Sequence, residues 1–514
     1  MRKHYTKGLQ VILVSLAFSL DAMAEQGDTI WQHSIDRYTP SAAIDITGTD
    51  SIVFKKNAMR VFYTSEDGSV TYKNLAYLSS TNKTYDGYTL TRPGKAIYKP
   101  AEMRSMDWDD PSSKYCFERS MESENCIVFW EAGFGKDPTK ATGSYKFNPT
   151  TLLKYAEEIY KKNRDVLKFV EAGHSNSTDN YKLLLMVLYQ TDWLATGSGY
   201  DNKVGAFWCN PDAINDKSTL AHELGHSFQY MVACDLGTNH GWRYGFGTNA
   251  SGGCAWWEAC AQWQAFMVYP EYFFSNYYYS HYIDHTERNI LEEDWRYADY
   301  FIQCYWVQKH GLDFLGKLWR ESVRPEDPVE TYKRITGIDQ ETFNDEFFEF
   351  ASQTTSWDID CIRTYGKNQI NAIKQHVTQD SKDKYLWRPQ ASYCPQNYGY
   401  NVIQLKNSGA GQVIKANFKG IAGADGYRAV KVEKAGWRYG FCAYKTDGTR
   451  VYGEMGRDPE GTIEFTIPTG TKYLWFVVSG APTEHWRHPW NDDTSDDEQW
   501  PYEVQFENTN RYGY

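Results

Sequence analysis

Short runs in which apolar and polar residues alternate dominate the first part of the chain. "SIVFKKNAMRVFYTS" and "SVTYKNLAYL" are examples, broken by Gly, Asn and Asp, and this period of two predicts a β-rich region over residues 25–110. From about 150 to 355 the period lengthens to that of a helix, as in "TLLKYAEEIYKKNRDVLKFV" and "ADYFIQCYWVQKHGLDFLGKLW". Beyond about 385 the strand pattern returns in "GYNVIQLKN", "QVIKANFKGI", "TIEFTIP" and "KYLWFVVSG", separated by Gly and Asp turns, which predicts a C-terminal β-sandwich over 385–514. With 514 residues the chain is too long for one core. The expected class is therefore α+β and multidomain: β first, a mostly helical middle over 111–360, then β again.

The first 24 residues do not belong to that plan. Arg2, Lys3 and Lys7 precede an apolar core from Val11 to Leu20, and Ala22-Met23-Ala24 supplies small residues at the positions a signal peptidase reads. About ten apolar residues are too few to span a bilayer. The pattern predicts a signal peptide cleaved after Ala24 and a secreted or periplasmic protein. The formal net charge of −12 becomes more negative once those basic residues are removed. Such acidity argues against nucleic acid and anionic membrane as partners, and no other apolar stretch is long enough for a membrane span. An oxidising compartment makes disulfides plausible among the ten cysteines. Cys116 and Cys126 could close a short loop, whereas no C-x-x-C zinc pair is present.

The helical middle contains His222-Glu223-Leu224-Gly225-His226, an H-E-x-x-H. Around it, Leu220, Leu224, Phe228, Met231 and Val232 form one apolar stripe, and Asp216 or Ser218 stands where a helix would be capped. On a helix the two histidines lie one turn apart on one face, so both imidazoles reach a single ion. Glu223 follows the first ligand and projects beside the metal, where a general base is needed. A short motif also arises by chance, so its surroundings must contribute. A catalytic zinc takes three protein ligands and leaves one position open. Downstream, "SGGCAWWEACAQWQAFMVYP" predicts a second helix whose one carboxylate is Glu258, among small residues that allow close packing. His240, in the Gly-rich "GTNHGW", is the competing third ligand, but it lacks the spacing of the three-histidine metzincins.

"AHELGHSFQYM" followed by "WWEACAQWQA" resembles the gluzincin metallopeptidases. Together with "ENCIVFWEAGFGKDP" and "LWFVVSGAPTEHW…DEQWPY", these stretches resemble a family of secreted bacterial proteins with an H-E-x-x-H centre, over most of residues 115–505. The resemblance implies a zincin-like metallopeptidase domain over 111–360, one catalytic zinc held by His222, His226 and Glu258, and Glu223 as general base. The interval to the third ligand is longer than in thermolysin-like members, and no "NEAxSD"-type segment follows. For the oxyanion, such enzymes use a Tyr or His; Tyr297 is the preferred candidate, with Tyr300, His281 and His285 as alternatives. Because histidine ligands bind metal only when neutral, activity is expected to fall at acid pH.

The expected substrate is a protein or glycoprotein. Nineteen Trp and 40 Tyr suit sugar stacking, although aromatics fill β-sandwich cores equally well. The competing function is a noncatalytic, glycan-binding secreted or surface protein whose metal is structural. Asp492, Asp493, Asp496, Asp497 and Glu498 form an acidic loop that could hold calcium, without EF-hand spacing. Oligomeric state is not legible.

Overall fold

The computed structural model describes short strands between residues 39 and 91, then residues 95–108, 110–244 and 253–514. The predicted leader lies outside the described residues. The chain divides into two compact units: one runs to Thr238 without Leu167–Phe169, and the other combines those three residues with Asn239–Tyr514. Helices and sheets in several domains make this an α+β multidomain protein.

In the first unit, Ser51–Lys55, Ala58–Thr64 and Val70–Tyr77 pair into one antiparallel sheet, at the positions where alternation predicts strands. Thr39–Pro40, Asn82–Tyr85 and Tyr88–Thr91 form another. A five-stranded mixed sheet follows, in the spatial order 195–200, 204–209, 183–187, 126–130, 120–122. Its three inner strands are parallel, and both edges are antiparallel.

This sheet departs from the mostly helical pattern expected after residue 150. Cys126–Trp130 and Leu183–Val187 are buried along their whole length. A strand covered on both faces reads as an unbroken apolar run, which periodicity cannot tell from a buried helix. The helix expected from residue 150 is present at Pro149–Lys161. Asn148 caps it, accepting from the Thr150 and Thr151 N–H groups, and Leu152, Ala156, Ile159 and Tyr160 are buried. It packs against a second helix, Lys217–Leu236, and that helix lies on strands Ala195–Tyr200 and Val204–Cys209.

The second unit begins with helices Gly253–Val268, Tyr277–Asp284, Phe301–His310, Phe314–Glu321, Pro328–Thr336 and Gln340–Thr354. The periodic run over 298–319 is cut in two by Gly311, whose φ of 102° ends one helix. Two antiparallel sheets complete the unit. One has five strands in the order 377–379, 386–389, 502–507, 413–420, 460–466; the other has four in the order 400–404, 471–480, 437–445, 450–452. They share one core, to which Ile414, Phe418 and Val504 contribute from the first sheet and Ile403, Phe441 and Phe476 from the second.

The nine described cysteines are free thiols, including Cys116 and Cys126, so the loop that this pair could have closed is not bridged. Cys126 is instead a core residue of its strand. Burial pushes its thiol well above the usual range, so it packs as a small neutral group.

Candidate metal centre

The motif lies near the start of Lys217–Leu236. Asp216 caps this helix by accepting from the N–H groups of Ser218 and Thr219, so of the two predicted caps it is the first that serves. Leu220, Leu224 and Phe228 are fully buried on the helix, as the apolar stripe requires. His222 and His226 are buried too, at 7% and 4% exposure, with Nε2 atoms 3.0 Å apart and rings nearly perpendicular at 87°.

The hydrogen bonding of these rings tests their fitness for a cation. His226 Nδ1 lies 3.0 Å from Gln229 Oε1. An amide oxygen only accepts, so Nδ1 carries the hydrogen and Nε2 presents a lone pair. That lone pair faces the Nε2 of His222. Two imidazole nitrogens converging in a buried place, one with its tautomer fixed by a neighbour, is the donor arrangement of a histidine metal site.

Glu223 is only partly buried, and its Oε2 accepts from the backbone N–H of Gly197 at 2.7 Å. Gly197 lies on Ala195–Tyr200, the edge strand of the mixed sheet. A Cβ there would run into the Glu223 carbonyl, so a glycine lets helix and strand approach closely enough for this bond. Neither Gln229 nor Gly197 is apparent from the motif. Gln229 could have been noticed as a polar residue three positions after a ligand on the buried face. The Gly197 contact joins positions 26 residues apart and leaves no local signal.

In the second unit, Glu258 lies on Gly253–Val268 with 6% exposure. Trp256, Ala259, Cys260 and Trp263 on this helix are buried, as are Gln262 and Gln264. Burial, reinforced by the charge of Glu258, pushes the phenols of Tyr278 and Tyr297 upward. The two rings stack at 5.1 Å and 22°. Among the expected oxyanion donors, Tyr297 has a phenol that feels the Glu258 charge.

The alternatives are otherwise engaged. Tyr300 is fully buried and donates to the Phe273 carbonyl at 2.9 Å. His285 Nδ1 meets Glu287 at 3.0 Å, and His281 packs against the Tyr277 ring at 4.7 Å. His240, the competing third ligand, donates through Nδ1 to the Arg320 carbonyl at 2.9 Å. Among the described residues, His222, His226 and Glu258, all buried, make a group that could hold a metal ion. In the acidic loop, Asp492, Asp493 and Asp496 are exposed, whereas Asp497 and Glu498 are buried.

An α+β multidomain protein with an H-E-x-x-H helix on an edge strand is the class that fold and site define. The chain belongs to the Family of unknown function (DUF6055), whose model matches residues 89–513. No curated protein matches it. Among solved structures, it is similar to the M60 catalytic domain with the CBM51-1 and CBM51-2 domains from Clostridium perfringens ZmpB. The two are 10% identical over 87% of this chain and 70% of the other, with a TM-score of 0.30, a likeness too slight to carry fold or activity. No helix among the described residues is long and apolar enough to cross a membrane.

Proposed function

We propose that this chain is a secreted zinc-dependent metallopeptidase that hydrolyses peptide bonds in a protein or glycoprotein, with His222, His226 and Glu258 as ligands. The observation that carries the reading is the buried Nε2 pair, 3.0 Å apart, with Glu223 held next to it on the same helix. A zinc bound there would acidify a water molecule and polarise the scissile carbonyl. The rest falls to the chain itself. Gln229 orients His226 through Nδ1, and the Gly197 N–H orients the Glu223 carboxylate. Glu223 takes the proton of the attacking water and passes it to the nitrogen of the leaving amine. Tyr297 donates its phenolic hydrogen to the developing oxyanion. In this reading residues 1–24 are the export signal, 111–360 the zincin-like domain and 385–514 a C-terminal β-sandwich.

Elemental analysis of residues 25–514 gives the test. One zinc per chain is expected, lost or weakened in both His222→Ala and Glu258→Ala. Glu223→Gln should keep the zinc and lose cleavage in a screen of peptides and glycopeptides. A wild-type protein that stays zinc-free after metal supplementation overturns the reading. Zinc with no cleavage of any substrate, and binding of glycans unchanged in Glu223→Gln, would instead favour a noncatalytic glycan-binding protein.

A further inference from the structure

Arg296 precedes Tyr297, and its guanidinium is fixed without being neutralised. Its Cζ lies 5.4 Å from the centroid of the Tyr297 ring and 5.4 Å from that of Trp490, and Nη1 donates to the Glu293 carbonyl at 2.6 Å. Its Nε is buried with no hydrogen-bond partner. Among the described residues no carboxylate pairs with it, although the neighbouring sequence is acidic. Glu292 is 3.1 Å and Asp294 3.5 Å from Arg288. The Glu293 carboxylate meets His488 at 3.0 Å and accepts from the N–H groups of Asn491 and Asp492 at 3.2 and 2.7 Å. Three acids adjacent in sequence are therefore all turned to other partners. In a chain with 66 acidic residues against 54 basic, an uncompensated and partly buried guanidinium is unusual.

Its position gives the vacancy of charge a meaning. Trp490, against which Arg296 rests, packs on Ala255, three residues before Glu258 on the same helix. Tyr278 and Tyr297 both feel the charge of Glu258 and that of Arg296. The cation is thus tied to the Glu258 helix through Trp490 and Ala255. A guanidinium pre-ordered between aromatic faces presents the N–H groups of its two Nη atoms as a fork matched to a carboxylate.

We infer that Arg296 is a substrate-binding residue that receives a carboxylate group of the peptide, either the chain's C-terminus or an acidic side chain. The inference rests on the peptidase reading for its substrate class, but its test reads binding and needs no turnover. Full-length Glu223→Gln protein, loaded with zinc, is titrated calorimetrically with two pairs of probes. One pair is N-acetyl-tetra-alanine with a free C-terminus and its C-terminal amide. The other is a doubly capped alanine pentapeptide with a central Glu and its Gln counterpart. At least one carboxylate probe should bind about tenfold or more tightly than its amide partner, the size expected of a charged hydrogen bond. The first pair responding assigns the C-terminus, and the second assigns a side chain.

Adding Arg296→Gln should erase that difference while leaving the amide affinity in place. Arg296→Lys, which keeps the charge and loses the fork, should recover part of it and serves if the Gln variant does not fold. No discrimination in the protein with Arg296 intact, or discrimination that survives Arg296→Gln, overturns the inference. Zinc content and cleavage by the wild type are measured separately, so failure of the peptidase reading shows there and not in the probe ratios.

Discussion

Gln229 contacts the candidate metal group through His226, and under the zinc reading that gives it a measurable signature. Gln229→Leu keeps the side chain's size and the helix but removes the oxygen that accepts the Nδ1 hydrogen. The ring is then free to change tautomer or turn, so zinc affinity should fall by about 10- to 100-fold, the usual range for such outer partners. Competition with a chromogenic chelator measures this. An unchanged affinity would show that packing alone orients His226. The residues that could be read from sequence are those whose chemistry is local. His222, Glu223 and His226 announce themselves through spacing within one turn, and Glu258 through being the lone acid in an apolar helix. Gln229 shares that helix but has no motif to mark it. Arg296 is invisible for a different reason: its sequence neighbours are Glu292, Glu293 and Asp294, which suggest ordinary surface pairs, and only the fold turns all three away.

For the elements, the decisive contact is that of the motif helix with the edge strand Ala195–Tyr200. Gly197 permits it, and Gly199 does the same further along, where a Cβ would meet the Tyr230 ring and the Val204 carbonyl. Gly197→Ala should therefore push strand from helix and weaken the hydrogen bond to Glu223. A loss of about 1–3 kcal/mol, typical of overpacking, is expected in urea unfolding. Cleavage should fall more than the unfolded fraction explains, because Glu223 loses its orientation. Equal stability and activity in the variant would mean the strand yields without cost. The elements themselves were legible where burial is one-sided. The alternating strands Val413–Gly420 and Tyr502–Glu507 and the helix capped by Asp216 follow their patterns. Leu183–Val187 does not, since both its faces are covered and its sequence carries no alternation. The helix Gly253–Val268 shows no polar face for the same reason, yet its length separates it from a strand.

At the scale of the whole molecule, buried ionisable groups in the second unit make stability depend on pH. Burial raises both Glu292 and Glu498 to about 7, and it raises Asp497 as well. His488 is also shifted: burial alone would lower it, but its contact with Glu293, helped by Asp497, holds it above its ordinary value. Between the ordinary glutamate value of 4.5 and about 7, the folded state holds protons on Glu292 and Glu498 that the unfolded chain has released. Rising pH through this window therefore costs folded stability. The paired His488 acts in the same direction, because its contribution is complete below its unfolded value and lost above its folded one. Glu293 opposes them: burial would raise it, but the His488 contact leaves it lowered, so it favours the folded state once ionised. His310, which burial lowers, opposes them as well, but two buried glutamates and His488 outweigh these groups, so the unit should melt at a higher temperature at pH 5.5 than at pH 8. Glu498 is the residue on which to check this, since it is 2% exposed and its Oε2 has no hydrogen-bond partner. Glu498→Gln replaces a charge that must be buried above pH 7 with a neutral group of the same shape. It should add on the order of 1–3 kcal/mol at pH 8 and less than half of that at pH 5.5, flattening the profile. Calorimetric melting of wild type and variant at both pH values decides it. A gain of equal size at both would place the effect in packing and not in the proton. Under the zinc reading, metal binding would impose the opposite trend, since histidine ligands must be neutral to bind it. If both hold, cleavage should peak in a narrow band near neutrality, with metal loss setting its acid side and weakening of the second unit its alkaline side.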